Sequence, residues 1–596
     1  MARPNILFLA LALASSVAHP SEECKVEQYA DLPVTMAGTR PIIAGSINGV
    51  DAHFAADSGS FYSAVSRESA DKFHLTLQPL PWGMDVRSFA GMKEARQATA
   101  KDFSLAGFGT GAMHSVDFIV DNGTYASGVD GEIGQTILGN ADAEYDLAHG
   151  SIRLFRVKGC HDVSLAYWHG TAPVAVIDID RTSPMSPHLI GKARLNGSPI
   201  SAMFDSGLSR SALDLKAAMR AGFKRDDPNV LDGGALFFGP GKSGTWIARF
   251  DMLDLGGEQI KHALLRVGNI DLGIGVDMLL GADFFLSHRL FVANSQHKIY
   301  FTYNGGQVFD LSVKSSTPTG APAVTDKPAS TAGAAVSADE PTDAPGYRRR
   351  GAASAGRGDL RSALADLNEA VKRDPGDAEN YYQRGLARWR DHQAVLAMSD
   401  FDQALKISPA HIDALASRGS LRLQSKDKEG AAADFAAAIG KSPTDAILAL
   451  DVAQIYVRDG YYPESIDRLD SWIAAHPKDD RLAFALNERC WARAMLGQAL
   501  DQALEDCNAA LKKDPHSSEA IDSRGLVWLR LGDLDHAIAD YEAAIKLQPK
   551  RAWSLYGLGL AELKKGQQEK GNQHLQEAIA VNPQIAAEFK KLGLAP

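Results

Sequence analysis

The chain has 596 residues, of which 23% are charged and 45% hydrophobic, with a formal net charge of −11 and four cysteines. One hydrophobic core cannot serve that length, and about three units are expected. The charge is mild and no long basic block occurs, so nucleic acid is excluded as an expected partner. No C-x-x-C or H-E-x-x-H is present; a metal site therefore has no motif, and no cofactor is expected.

Residues 1–18 hold a single Arg3, an apolar run Ile6–Ala14 and the small residues Ser15-Ser16-Val17-Ala18. This is the pattern of a secretory signal peptide cut after Ala18. The run is too short to span a bilayer comfortably, so the mature chain is expected to have no membrane span. The expected setting is periplasmic or secreted. Cys24 follows Ser21-Glu22-Glu23, which lacks the small and apolar residues of a lipoprotein cleavage site. In an oxidising compartment the even cysteine count permits Cys24–Cys160 and Cys490–Cys507 bridges, with four buried thiols as the alternative.

Over residues 30–160 and again over 168–305, short β-branched and apolar runs alternate with N-G, G-G and P-G punctuation, as β-rich domains do. Pro41–Gly49 leads through an N-G turn into Ala52-His53-Phe54-Ala55-Ala56 and then Asp57-Ser58-Gly59. The phrase returns as Leu189–Gly197, then Ile200-Ser201-Ala202-Met203-Phe204 and Asp205-Ser206-Gly207. Downstream, Ile137-Leu138-Gly139 and Leu279-Leu280-Gly281 end 82 and 76 residues after the two aspartates. Each is followed by an apolar hairpin, so the region reads as an internal duplication. Two facing carboxylates cannot both ionise, so one keeps a proton while the other can deprotonate water.

On these motifs each half resembles a retropepsin-type or pepsin-like aspartic protease lobe, with the likeness covering roughly residues 35–305. The resemblance implies an all-β bilobal domain in which Asp57 and Asp205 are the catalytic pair, acting on an extended polypeptide without metal or covalent intermediate. It also implies that Ser58 and Ser206 lock the two loops together and that Gly59 and Gly207 let the backbone approach the carboxylates. Ser60 matches the hydroxyl that supports the first Asp. Leu208 stands where the family usually has Ala, Ser or Thr, so the second loop is expected to lack that support. Glycine-rich hairpins at Val86–Met92, with Gly91 at the tip, and at Leu231–Gly241 are candidate flaps.

Residues 312–345 are rich in Pro, Ala, Ser, Thr and Gly and nearly free of large apolar side chains. Such a stretch cannot bury enough surface to offset its ordering entropy, and it reads as a disordered linker. Over 346–596, Pro375, Pro409, Pro443, Pro477, Pro515, Pro549 and Pro583 are spaced by 34, 34, 34, 38, 34 and 34 residues. With Gly351, Gly385, Gly419, Gly525 and Gly559 in register, this resembles about seven tetratricopeptide (TPR) repeats, an all-α solenoid. The resemblance implies a groove for an unidentified protein partner. The expected whole is a multidomain chain, an exported aspartic endopeptidase with a protein-binding solenoid. The alternative is a non-catalytic scaffold that binds peptide or protein through both parts.

Overall fold

Asn48-Gly49 and Asn196-Gly197 take left-handed backbone conformations, with φ of 51° and 80° in the first pair and 48° and 80° in the second. Successive left-handed residues make the tight turn whose twist matches a β-hairpin, which is why N-G stands at both places. Each turn joins a pair of strands, Arg40–Ile47 with Val50–Ala56 and Ile190–Leu195 with Ser198–Phe204. The structure is a computed structural model describing residues 24–596 apart from 82–85, 89–90, 93–94, 109–112, 122–124, 126–127, 161–162, 180–187, 226, 228, 237–242, 271–274, 310–339, 442–445, 480 and 549–550. The expected signal peptide and most of the expected linker therefore lie outside the described residues.

The two lobes repeat one topology. Val50–Ala56 runs parallel to Gly131–Ile133, which is antiparallel to Ala64–Ser66. Ser198–Phe204 relates in the same way to Met278–Leu280 and Ala212–Asp214. Phe54, Phe103 and Phe118 fill the first core, while Phe204, Phe284 and Phe301 meet in the second. Lys25–Ala37, Asp142–Asp146 and Ser151–Lys158 join Ala175–Asp178, His288–Ala293 and Lys298–Tyr303 in a shared platform. Its central seam pairs Ala143 with Val292 and Tyr145 with Leu290 across the lobes. Cys24 and Cys160 form a disulfide that ties the start of the first lobe to the end of its last strand.

One duplicated motif is displaced from its expected position. The counterpart of Leu279-Leu280-Gly281 is Glu132-Ile133-Gly134, not Ile137-Leu138-Gly139. The Ile133 and Leu280 carbonyls accept hydrogen bonds from the Asp57 and Asp205 N–H groups at 3.0 and 2.9 Å. Gly134 and Gly281 each stand at the N-terminus of a short helix, Gln135–Leu138 and Ala282–Ser287. A side chain at either glycine would strike the carbonyl oxygen of Ser60 or Leu208.

Fifteen helices follow among the described residues. Fourteen pair into seven hairpins from Ala344–Gly356 with Leu360–Arg373 to Ala552–Lys564 with Gln568–Val581, and Ile585–Lys591 closes the stack. Gly385, Gly419 and Gly525 are small because the rings of Phe401, Phe435 and Tyr541 press on them; an added Cβ would sit 2.7, 2.8 and 3.0 Å from ring carbons. A charged ladder unread in the sequence binds the hairpins. Arg350, Arg384, Arg418, Arg489 and Arg524 each fork onto a carboxylate of the next helix, Asp366, Asp400, Asp434, Asp506 and Asp540. Planar bidentate pairing of this kind fixes orientation as well as charge. Cys490 and Cys507 bridge the two helices of the fifth hairpin.

The first solenoid helix begins at Ala344, inside the expected linker, with the Asp343 side chain accepting from the Gly346 N–H at 2.8 Å. Pro345 suits this first turn because the N–H it lacks would have no helical partner. A loose tether implies independent units, but this helix lies against the platform: Ala352 and Ala353 are buried in the same core as both lobes. Arg357 donates to the Leu286 carbonyl at 3.1 Å. Apolar burial and a half-buried cation therefore hold the solenoid to the β domain.

Ending the chain at residue 339 is expected to lower the β domain's melting temperature, because Ala352 and Ala353 no longer cover the platform; an unchanged melt would mean that the domains are independent. Asp400→Ala strands Arg384 and Arg388, both bonded to it, and should cost roughly 3 kcal/mol by denaturant unfolding. Asp402→Ala, which removes an exposed partner of Arg418, should cost no more than about 1 kcal/mol.

Candidate active site

Each Asp-Ser-Gly loop leaves the end of a buried strand and turns across the other at the junction of the lobes. The exchange between them is reciprocal. Ser58 N–H donates to Ser206 Oγ at 3.0 Å, and Ser206 N–H donates to Ser58 Oγ at 2.9 Å. The same hydroxyls donate onward, Ser58 to the Phe204 carbonyl at 3.0 Å and Ser206 to the Ala56 carbonyl at 2.7 Å. Both serines are fully buried, so no water competes and each lost bond would leave an unpaired polar group.

This lock brings the Asp57 and Asp205 carboxyls into a hydrogen bond with each other. Gly59 and Gly207 pass so close to the opposite carboxyls that a Cβ at either would overlap them. One oxygen of each aspartate is held by two main-chain donors. Asp57 Oδ1 accepts from Gly59 and Ser60 N–H at 2.8 and 2.9 Å, while Asp205 Oδ1 accepts from Gly207 and Leu208 N–H at 3.0 and 3.1 Å. Burial pushes both carboxyls above the ordinary range. Asp205 is pushed furthest, since it also faces the charges of Asp57 and Glu132. Asp57 is held back by the Ser60 and Gly59 N–H groups and by the Arg40 charge. Two buried carboxyls this close cannot both ionise, so the pair keeps one proton between them.

Two expectations for these loops change. The Ser60 hydroxyl does not support Asp57: it donates to the Tyr62 carbonyl at 3.0 Å and to Glu132 Oε1 at 2.9 Å, and Ser60 holds Asp57 through its main-chain N–H alone. Leu208 holds Asp205 in the same way, so the missing hydroxyl removes no ligand of the second carboxyl. The Leu208 side chain instead packs against the apolar cluster that includes Ile190, Met203 and Leu279.

Sequence reading missed Arg40, His188 and Glu132. Arg40 and His188 each stand 17 residues before an aspartate, and His188 Nδ1 lies 3.3 Å from the Gly59 carbonyl oxygen. Aligning the two copies backward from their N-G turns would have found them. Aligning Val129-Asp130-Gly131-Glu132-Ile133-Gly134 with Val276-Asp277-Met278-Leu279-Leu280-Gly281 would have found Glu132. Asp130 and Asp277 are equivalent too, each accepting from a main-chain N–H of the neighbouring hairpin, His53 at 2.9 Å and Ser201 at 3.0 Å.

Of the candidate flaps, Arg87–Ser88 pairs with Gly91–Met92, so Gly91 belongs to the returning strand; residues 89–90 lie outside the described residues. Leu231–Leu236 pairs with Ser243–Leu255, and 237–242 again lie outside them. Among the described residues no cluster of three or more His, Cys, Asp or Glu forms a metal site, and no helix is long and apolar enough to cross a membrane.

The family model described as aspartyl protease matches residues 43–141 and 191–284, one segment in each lobe. Those described as tetratricopeptide repeat and TPR repeat match 349–412 and 525–566. No curated protein matches the chain. Among solved structures, a tetratricopeptide repeat protein from Parabacteroides merdae is 19% identical, with 42% of this chain and 98% of that one covered at a TM-score of 0.35. PilW, described as a type IV pilus biogenesis factor, is 17% identical over 36% of this chain and 97% of its own, with a TM-score of 0.30. Pseudomonas aeruginosa pilF is 16% identical over 37% and 98%, with a TM-score of 0.28. The chain is a fusion of a duplicated aspartyl-protease-like β domain with a tetratricopeptide solenoid.

Proposed function

We propose that this protein is an exported aspartic endopeptidase whose solenoid presents a surface to another protein. The observation that carries the reading is the pair of hydrogen-bonded carboxyls, each fixed by two N–H groups and locked by the Ser58–Ser206 exchange. A merely structural pair of turns needs no such convergence of buried acids, and perturbed acids belong at sites that move protons.

In the proposed cycle the Asp57 carboxylate takes a proton from water as the water oxygen bonds to the scissile carbonyl carbon. Asp205 gives its proton to the carbonyl oxygen, so the intermediate is a neutral gem-diol. The proton on Asp57 then passes to the amide nitrogen, Asp205 recovers its proton from a diol hydroxyl, and the C–N bond breaks to give acid and amine. No bond forms between substrate and protein. Extended polypeptide is the substrate class that suits a cleft between two sheet-built lobes. The Cys24–Cys160 and Cys490–Cys507 disulfides support export, because such bridges persist in oxidising compartments. These bridges and the leader pattern of residues 1–18 support a periplasmic or secreted setting. Seven stacked hairpins support a protein-binding role for the solenoid, since such stacks build extended concave surfaces.

Digestion of a peptide library should show cleavage by the unaltered chain and at least about a hundredfold loss in both Asp57→Asn and Asp205→Asn. Cleavage surviving either change would refute the mechanism, and no cleavage by the unaltered chain would favour a peptide-binding scaffold. The pH profile of kcat should be a bell with its basic limb above the ordinary carboxylate range, because Asp205 must keep its proton. Linkage runs the same way. A carboxyl raised on folding contributes its full stability below the unfolded value of about 3.9 and loses it as pH rises through the folded value. Asp205→Asn should therefore be more resistant to denaturant than the unaltered chain at neutral pH and lose that advantage in acid.

A further inference from the structure

The lobes repeat each other closely around the dyad except for what braces each loop. In the first lobe the residue after the Asp-Ser-Gly triplet is Ser60, and its hydroxyl donates to Glu132 Oε1 at 2.9 Å. The equivalent positions in the second lobe are Leu208 and Leu279, which meet in an apolar cluster with Ile190, Met203 and Ala212. Both members of the contact change character together: a polar strut on one side replaces an apolar strut on the other. Glu132 is held by the backbone, pairing with Ala55 and Ala64 on either side. Its carboxylate is thus fixed beside the loop that carries Asp57.

We propose that Glu132 is a positioning residue for the dyad, acting through Ser60 on the Asp57 loop and making the two aspartates unequal. The proposal rests on the endopeptidase reading and deepens it. The route is short. Glu132 holds the Ser60 hydroxyl, and Ser60 N–H donates to Asp57 Oδ1 at 2.9 Å, so the donor that stabilises ionised Asp57 is braced from behind. The second lobe supplies the same main-chain donor from Leu208, but Leu279 stands there in place of Glu132, and the buried Asp283 carboxylate instead accepts from the N–H and hydroxyl of Ser211. The Glu132 charge also reaches Asp205 and raises it, after burial and Asp57, so it favours keeping the shared proton on the pair. Among the described residues, the charged and titratable groups linked to this site include Asp57, Asp205, Asp121, Tyr125, Arg40 and His188. Burial raises the Tyr125 phenol, with Glu132, Asp121 and Asp57 adding to it, while burial holds the nearby His188 down.

The test compares Glu132→Gln, Glu132→Leu and Ser60→Ala in the full chain, by kcat across pH on a cleaved peptide and by NMR titration of carbon-13-labelled aspartate carboxyls. Glu132→Leu and Ser60→Ala should each lower kcat about tenfold through loss of the strut. Glu132→Gln keeps an acceptor for the Ser60 hydroxyl and should recover most of that loss. Both Glu132 variants should move the basic limb, and the upper titration of the dyad, down by roughly one pH unit. Equal losses in Gln and Leu would overturn the strut, and an unmoved titration in both would overturn the inequality. If the unaltered chain cleaves no peptide at any pH, the endopeptidase reading fails, while the carboxyl titration still decides whether Glu132 sets the dyad apart.

Discussion

Two buried serines exchanging hydrogen bonds across the lobe junction are the constraint on which the site depends. Each hydroxyl accepts from the opposite main-chain N–H and donates to a carbonyl of the opposite strand. That exchange works against the mutual repulsion of two acidic side chains brought together. With it, the loops can approach until only glycine fits behind each carboxyl, and the pair has no stable state in which both are charged. Stability is spent here on geometry: the raised acids weaken the folded state at neutral pH, and the surrounding β cores offset that cost.

The wider architecture serves the same junction. The platform joins strands of both lobes in antiparallel register, and its seam at Tyr145 and Leu290 lies in the core beneath the site. The first solenoid helix extends that core from outside, with Ala352 and Ala353 buried in it. Along the solenoid, glycine-on-ring contacts set the spacing in three hairpins, and forked Arg–Asp pairs set the orientation of five. The fourth hairpin has neither device, with Ala453 at the glycine position and Val452 where those five hairpins carry an arginine. The Ser465 hydroxyl there donates to the Ala453 carbonyl at 3.0 Å.

Much of this was legible in the chain. The repeated triplets, the N-G turns and the period of 34 each leave a local mark, because a positive φ or a helix-to-helix contact restricts the residue at one position. Misreadings arose where the mark was ambiguous. Ile137-Leu138-Gly139 looks more apolar than Glu132-Ile133-Gly134, yet only the latter offers a carbonyl to Asp57. Ser60 carries a hydroxyl of the expected kind, but the hydroxyl turns to Glu132 and leaves the support of Asp57 to an N–H that any residue except proline could supply. Arg350, Arg384, Arg418 and Arg524 stand before glycines in plain view, but their partners lie 16 residues on, in a different helix.

The sequence by itself determined the duplicated lobes, the two acids, the glycines behind them and the seven-hairpin solenoid, because each follows from local backbone demands or from a fixed period. Only the tertiary structure decided which Gly motif braces the first loop, where the Ser60 hydroxyl points, that Glu132 and Leu279 are counterparts, and that the solenoid rests on the platform. Those facts concern groups far apart in the chain, and what settles them is which buried donors and apolar faces find partners once the lobes close on each other.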